Sequence, residues 1–127
     1  MPSLFEVSAG KLAGPTTGGT VTQATNKTTG VTLNTESGQI TMNNAALGAA
    51  GEASFTVTND KIAATDVVVA VHGSAGTAGS YLVGVTAIAA GSFEITVTNV
   101  SGGSLSEAIV INFVALKVLQ VSGIVCF

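Results

Sequence analysis

The sequence predicts an all-β fold: a single-domain, two-sheet sandwich of about eight short antiparallel strands, jelly-roll-like or immunoglobulin-like. Three observations lead there. The polar residues are mostly Thr, Ser and Asn beside 16 Gly, a composition that favours strands and turns over helices. From residue 19 onward, apolar and polar side chains alternate with a period of two. The alternating runs are short, and turn residues separate them.

Residues 1–18 read as an N-terminal arm, punctuated by Pro2, Gly10, Gly14, Pro15 and Gly18. Leu4, Phe5, Val7 and Leu12 are its candidates for contact with a partner. A sandwich domain spans residues 19–117. Thr20-Val21-Thr22, Val31-Thr32-Leu33-Asn34 and Gln39-Ile40-Thr41-Met42-Asn43 are its first strands, with Gly38 as a turn residue before the third. Residues 45–53 have helical composition, but Gly48 and Gly51 each cost about 1 kcal/mol relative to Ala inside a helix, so a loop or one helical turn is expected.

Ser54-Phe55-Thr56-Val57-Thr58 alternates cleanly, with Phe55 and Val57 inward, and stops at Asn59-Asp60. Val67-Val68-Val69-Ala70-Val71 is apolar at every position. That pattern predicts a strand covered on both faces, placed centrally or at a subunit contact. A small-residue loop follows at Gly73–Gly79. Ser80–Thr86 is the next strand, where Gly84 marks a bulge or a close backbone approach.

After the turn Ala89-Ala90-Gly91, the run Ser92–Asn99 is the longest strict alternation. Phe93, Ile95 and Val97 share its core face. Glu107–Lys117 is the last long strand, with Ile109, Ile111 and Phe113 on one face and Val110, Asn112 and Val114 on the other. Residues 118–127 form an apolar C-terminal strand or tail whose Val121, Ile124 and Phe127 are further candidate partner contacts. Ala53–Asn59 and Gly91–Asn99 echo each other as Ser-Phe alternations ending in Thr-Asn, as equivalent strands closing with similar turns would.

The chain has 127 residues, 9% of them charged, 46% hydrophobic, and a net charge of −3. Its mean hydropathy is +0.60. With only Lys11, Lys27, Lys61 and Lys117 as cations, it is poorly equipped to neutralise a run of phosphates, which argues against nucleic-acid binding. One Cys and one His are too few for a zinc site. The start carries no secretory signal pattern, and the apolar stretch Ala108–Val118 is too short and too interrupted to cross a membrane as a helix.

No catalytic constellation is evident, so no enzyme and no cofactor is expected. His72 reads as a strand-end histidine with a satisfied hydrogen bond, and Cys126 as a partly buried thiol. Asp60 and Asp66, near Asn59 and Glu52, lack the dense ligand spacing of a calcium loop. Asn26-Lys27-Thr28 and Asn99-Val100-Ser101 match the glycosylation triplet in a chain rich in Asn and Thr.

The run Gly18-Gly19-Thr20-Val21-Thr22-Gln23-Ala24-Thr25-Asn26-Lys27-Thr28-Thr29-Gly30-Val31-Thr32-Leu33-Asn34 resembles the opening of a family of small tailed-bacteriophage and prophage structural proteins. The resemblance continues through Gly38–Met42, Phe55–Asn59, Ile62–Asp66, Ala89–Phe93 and Asn99–Phe113, covering about residues 18–117 in order. It implies a virion protein, a capsid cement or decoration protein that bridges neighbouring major capsid protein subunits. The implied partners are the major capsid protein and copies of itself, as a dimer or trimer, with no nucleic acid and no membrane. The expected location is the outer surface of the capsid, after synthesis in the host cytoplasm. The competing expectation is a tail or fibre β-module for attachment to the host surface.

Overall fold

A computed structural model describes residues 18–117 and, before them, the backbone of residues 6–8 and 11–13. Strands β1 (Glu6–Ser8) and β2 (Lys11–Ala13) pair antiparallel in a sheet of their own, with Val7 opposite Leu12. The remaining eight strands are β3 (Thr20–Thr22), β4 (Val31–Thr32), β5 (Ser37–Thr41), β6 (Glu52–Thr58), β7 (Val67–Ser74), β8 (Tyr81–Ala89), β9 (Ser92–Asn99) and β10 (Val110–Leu116). They form two four-stranded sheets, β3-β5-β10-β7 and β4-β6-β9-β8, packed as the expected sandwich.

The pairing departs from the antiparallel expectation at two edges, where β3 runs parallel to β5 and β4 parallel to β6. Each is joined to its parallel partner through a strand of the other sheet, β4 lying between β3 and β5 in the chain and β5 between β4 and β6, so neither pair is a hairpin. The other long pairs are antiparallel.

The alternation read from the sequence decides the core. Phe55, Val57, Phe93, Ile95 and Val97 point inward from one sheet, and Ile40, Ile111, Phe113 and Ala115 from the other; all are buried. Phe93 and Phe113 meet across the interior, with ring centroids 5.2 Å apart and planes at 55°. Each fully buried side chain of this size contributes about 1.5–3 kcal/mol relative to an exposed one.

Local details differ from expectation in three places. Gly38 lies inside β5 rather than before it, because a Cβ there would sit 2.8 Å from the Gly19 carbonyl oxygen and 2.8 Å from Leu33. The segment before β6 is a loop, as expected, and is tied by an antiparallel bridge between Leu47 and Leu105. The bulge in β8 falls between Val85 and Ala87, and Gly84 keeps its register opposite Thr96. The last strand begins at Val110, leaving Glu107 in the preceding loop.

Val67–Val71 is the main correction. Among the described strands it belongs to an edge strand, not a central one, and Val67, Val69 and Val71 are exposed at 50%, 44% and 50% while Val68 and Ala70 are buried. A wholly apolar strand still alternates its side chains between two faces. The sequence pattern therefore reports that neither face is polar; it does not report that both are covered.

The internal echo is structural. β6 and β9 are hydrogen-bonded neighbours, with Phe55 opposite Ile95 and Val57 opposite Phe93. A fully buried Asn follows β6 directly (Asn59) and ends β9 (Asn99). The Asn59 amide donates to the Gly91 carbonyl, and the Asn99 amide to the Gly51 carbonyl. Nδ2 of Asn59 donates to Thr35 O (2.6 Å), and that of Asn99 to Leu47 O (2.8 Å). Their Oδ1 atoms accept the backbone N–H two residues on, from Lys61 and Ser101. Each Asn thus closes its strand and anchors the turn entering its neighbour.

Candidate functional site

Few polar side chains are left for chemistry, because the buried ones hold loops. Gln23 Nε2 donates to the carbonyls of Lys27 and Thr29, and Gln23 Oε1 accepts from the Asn43 amide. The Lys27 ammonium is buried and donates to the carbonyls of Asn43 (2.5 Å) and Glu107 (2.6 Å). Burial lowers its pKa, against the opposing pull of the Glu107 charge. Among the described residues, no buried side-chain nitrogen or oxygen lacks a hydrogen-bond partner.

Two acids serve the same end. Glu107 Oε1 accepts from the Thr77 amide (2.9 Å) and the Tyr81 hydroxyl (2.8 Å), and Oε2 from the Thr77 hydroxyl (2.8 Å). The Thr77 amide above all, then these hydroxyls, hold its carboxyl below the usual carboxylate range. Burial foremost, followed by the Glu107 contact, pushes the Tyr81 phenol up to about 12. At the opposite end, Asp66 Oδ2 accepts from the Ala63 amide (2.8 Å) and the Lys117 ammonium (2.6 Å). Burial works to raise the Asp66 pKa, but the Ala63 amide and Lys117 outweigh it, and the net shift is downward.

These contacts account for the residues singled out from sequence. His72 Nε2 faces the carbonyls of Ser74 (3.1 Å) and Ala75 (2.6 Å), acceptors that require the proton on Nε2, and its ring stands edge-on to Tyr81. The open depression beside it, about 320 Å³, is lined by small residues, with His72 and Tyr81 both engaged. Asp66 is committed to Lys117, and Asp60 is exposed. Among the described residues, no three His, Cys, Asp or Glu side chains are grouped to hold a metal. Asn99 of one glycosylation triplet is buried; Asn26 of the other is exposed and accepts from Thr28 and Thr29 in its own turn.

Lys27 and Glu107 carried no signal in the sequence. The contact between them spans 80 positions, and only the fold brings them together. Of the candidate contact residues, Leu4, Phe5, Val121, Ile124 and Phe127 lie outside the described residues, and Val7 and Leu12 are described by backbone alone.

What does stand out is a surface. Among the described strands, β7 lies at the edge of its sheet, with β10 on one side. Val67 is opposite Leu116, Val69 opposite Val114 and Val71 opposite Asn112. The outer face of this pair is therefore an apolar stripe of Val67, Val69, Val71, Val114 and Leu116, the last 38% exposed, interrupted by Asn112. Neither strand contains Asp, Glu, Lys or Arg. A second apolar spot, a shallow groove of about 340 Å³, lies over Gly84 on the other sheet beside Leu82, which is 65% exposed.

No family model, no curated protein and no solved structure matches this chain.

Proposed function

We infer that this protein is a non-enzymatic virion structural protein that decorates and stabilises a tailed-bacteriophage capsid by bridging neighbouring major capsid protein subunits. Its partners on this reading are the major capsid protein and further copies of itself. The observation that carries it is the division of labour among side chains: polar groups tie loops inside the sandwich, while an uncharged apolar sheet face is left to solvent. Such a face loses little charge solvation when it is covered. Repeated weak contacts of this kind act together on a lattice through effective concentration. The ordered series of motifs over residues 18–117 supports the same reading.

The test is the copy number in purified particles. A cement protein is present in hundreds of copies on the shell; a tail or fibre module, the alternative, is present in a few to dozens. Deleting residues 1–18 should lower occupancy on undecorated shells. Unchanged binding by the truncated protein would remove the arm from the bridge.

A further inference from the structure

We propose that residues 118–127 add a fifth strand to the β3-β5-β10-β7 sheet, pairing in parallel with the outer edge of β7 and closing the side of the sandwich where β7 and β8 meet. These residues lie outside the described ones, and the proposal goes beyond the capsid reading without depending on it.

Two observations mark this side as incomplete among the described residues. The first is the edge. Exposed edges are commonly blunted by shortness, bulges, Pro or inward charge. β3 and β4 are only 3 and 2 residues long, and β8 carries a bulge in mid-strand, at Val85–Ala87. β7 is 8 residues long, has neither Pro nor charge, and pairs with β10 over Val67–His72 without a register shift. The second is the core. β7 and β8 end their sheets on the same side of the sandwich and lie against each other. The inward residues of β8, Val83, Val85 and Ile88, stand opposite Val97, Ile95 and Phe93 of β9. Those of β9 are fully buried, whereas those of β8 are only partly so and still have apolar surface to remove from water.

Position, length and chemistry select the C-terminal segment as the occupant. β10 ends at Leu116, opposite Val67, so the chain leaves the sheet beside the first residue of β7. Lys117 is held there by Asp66 (2.6 Å) and by the Lys61 carbonyl. Adjacent strands are about 4.8 Å apart, so passing round the end of β7 to its free edge covers about 9.6 Å, roughly three residues of extended chain. That uses residues 118–120 and leaves residues 121–127 to lie beside Val67–His72. A chain that turns back in this way runs parallel to β7, the pairing that β3 and β4 already make at the opposite edges of the two sheets. The segment Val-Leu-Gln-Val-Ser-Gly-Ile-Val-Cys-Phe is uncharged and rich in β-branched residues, as suits a strand beside an uncharged apolar one. Residues 1–18 lead instead into β3, at the far edge of the sheet. A tethered segment also has an effective concentration that free copies of a chain of net charge −3, which repel one another, do not match. The added strand widens the apolar outer face without covering it.

Cys126 is the chain's single cysteine, so a nitroxide attached to it in the full chain reports where the segment lies by broadening nearby amide signals. The expected result is broadening centred near His72, with Thr20–Thr22 at the far edge unaffected, and the same pattern at low and high protein concentration. Hydrogen exchange gives a second reading. Alternate amides of a strand face each neighbour, so Ile124→Pro together with Val125→Pro removes a bond donated to β7. Exchange at residues 67–72 should then speed up about tenfold or more, whereas Leu82→Lys on the other sheet should leave it unchanged. If the prolines prevent folding, the label on the otherwise unaltered chain still decides. Broadening at β3 or at no described strand, broadening at β7 only at high concentration, or exchange at residues 67–72 that is indifferent to the two prolines would overturn the proposal. The concentration-dependent outcome would assign the edge to another copy. None of these outcomes bears on the copy number in particles, which tests the capsid reading separately.

Discussion

The outer faces of the two sheets are built from the same alternation and end with opposite characters. On β6, β9 and β8 the outward positions are mostly polar, among them Ser54, Thr56, Glu94, Thr96 and Thr86, linked by hydroxyl contacts such as Ser54–Thr96 (2.7 Å) and Thr86–Thr96 (2.8 Å), with Leu82 the exposed apolar exception. On β10 and β7 they are mostly apolar, Val114, Leu116, Val67, Val69 and Val71, with Asn112 the polar exception. Both inner faces are packed alike, so the core does not set the difference. A strand's inward residues hold the sandwich together, and its outward residues decide what the sandwich meets.

The comparison breaks most visibly if the inner faces are not equivalent. Phe93→Ala and Phe113→Ala should each lower unfolding free energy by about 3–5 kcal/mol, because the two rings pack against each other across the interior. Chemical denaturation of both variants checks this; a large cost on one side only would show that one sheet carries the core. The strand-closing amides come next. Asn99→Ala removes two donated bonds and the acceptor for Ser101, at about 2–3 kcal/mol, and Asn59→Ala should cost a similar amount if the echo is a true equivalence.

A smaller effect depends on pH. The Asp66 pKa is depressed below its ordinary value of 3.8, so the stability it supplies is complete above that value and lost as pH falls through the lower folded-state value. Thermal melts of Asp66→Asn should show a shallower loss of stability on the acid side than the unaltered chain. The outward positions should matter least to folding. Thr96→Val and Val69→Thr should each change stability by about 0.5 kcal/mol or less, while the first makes the polar face more adhesive and the second makes the apolar face less so, as read by retention on a hydrophobic column.

Much of the sandwich was legible because period-two patterning is local. Phe93, Ile95 and Val97 announce a core face without reference to any other strand, and the Ser-Phe…Thr-Asn echo marked two strands that prove to be neighbours closed by matching Asn residues. The candidate surface was only half legible. The valines at 67, 69 and 71 were visible, but their exposure depends on which face of β7 turns to the core and on no third layer covering the other, and the strand's edge position depends on strand order. Strand order is set by long-range pairing, which a run of Val does not encode.

The sequence by itself determined the fold class, the inward residues and the scarcity of reactive groups, because side-chain alternation and composition are properties of the chain taken locally. Only the tertiary structure decided that β3 and β4 pair in parallel, that Lys27 is buried against the Glu107 carbonyl, and that an all-apolar strand ends at an edge with one face in water. The physical reason is the same in each case. Backbone partners and burial arise between segments tens of residues apart, where geometry and the competition among surfaces for a limited core choose which apolar face is left outside.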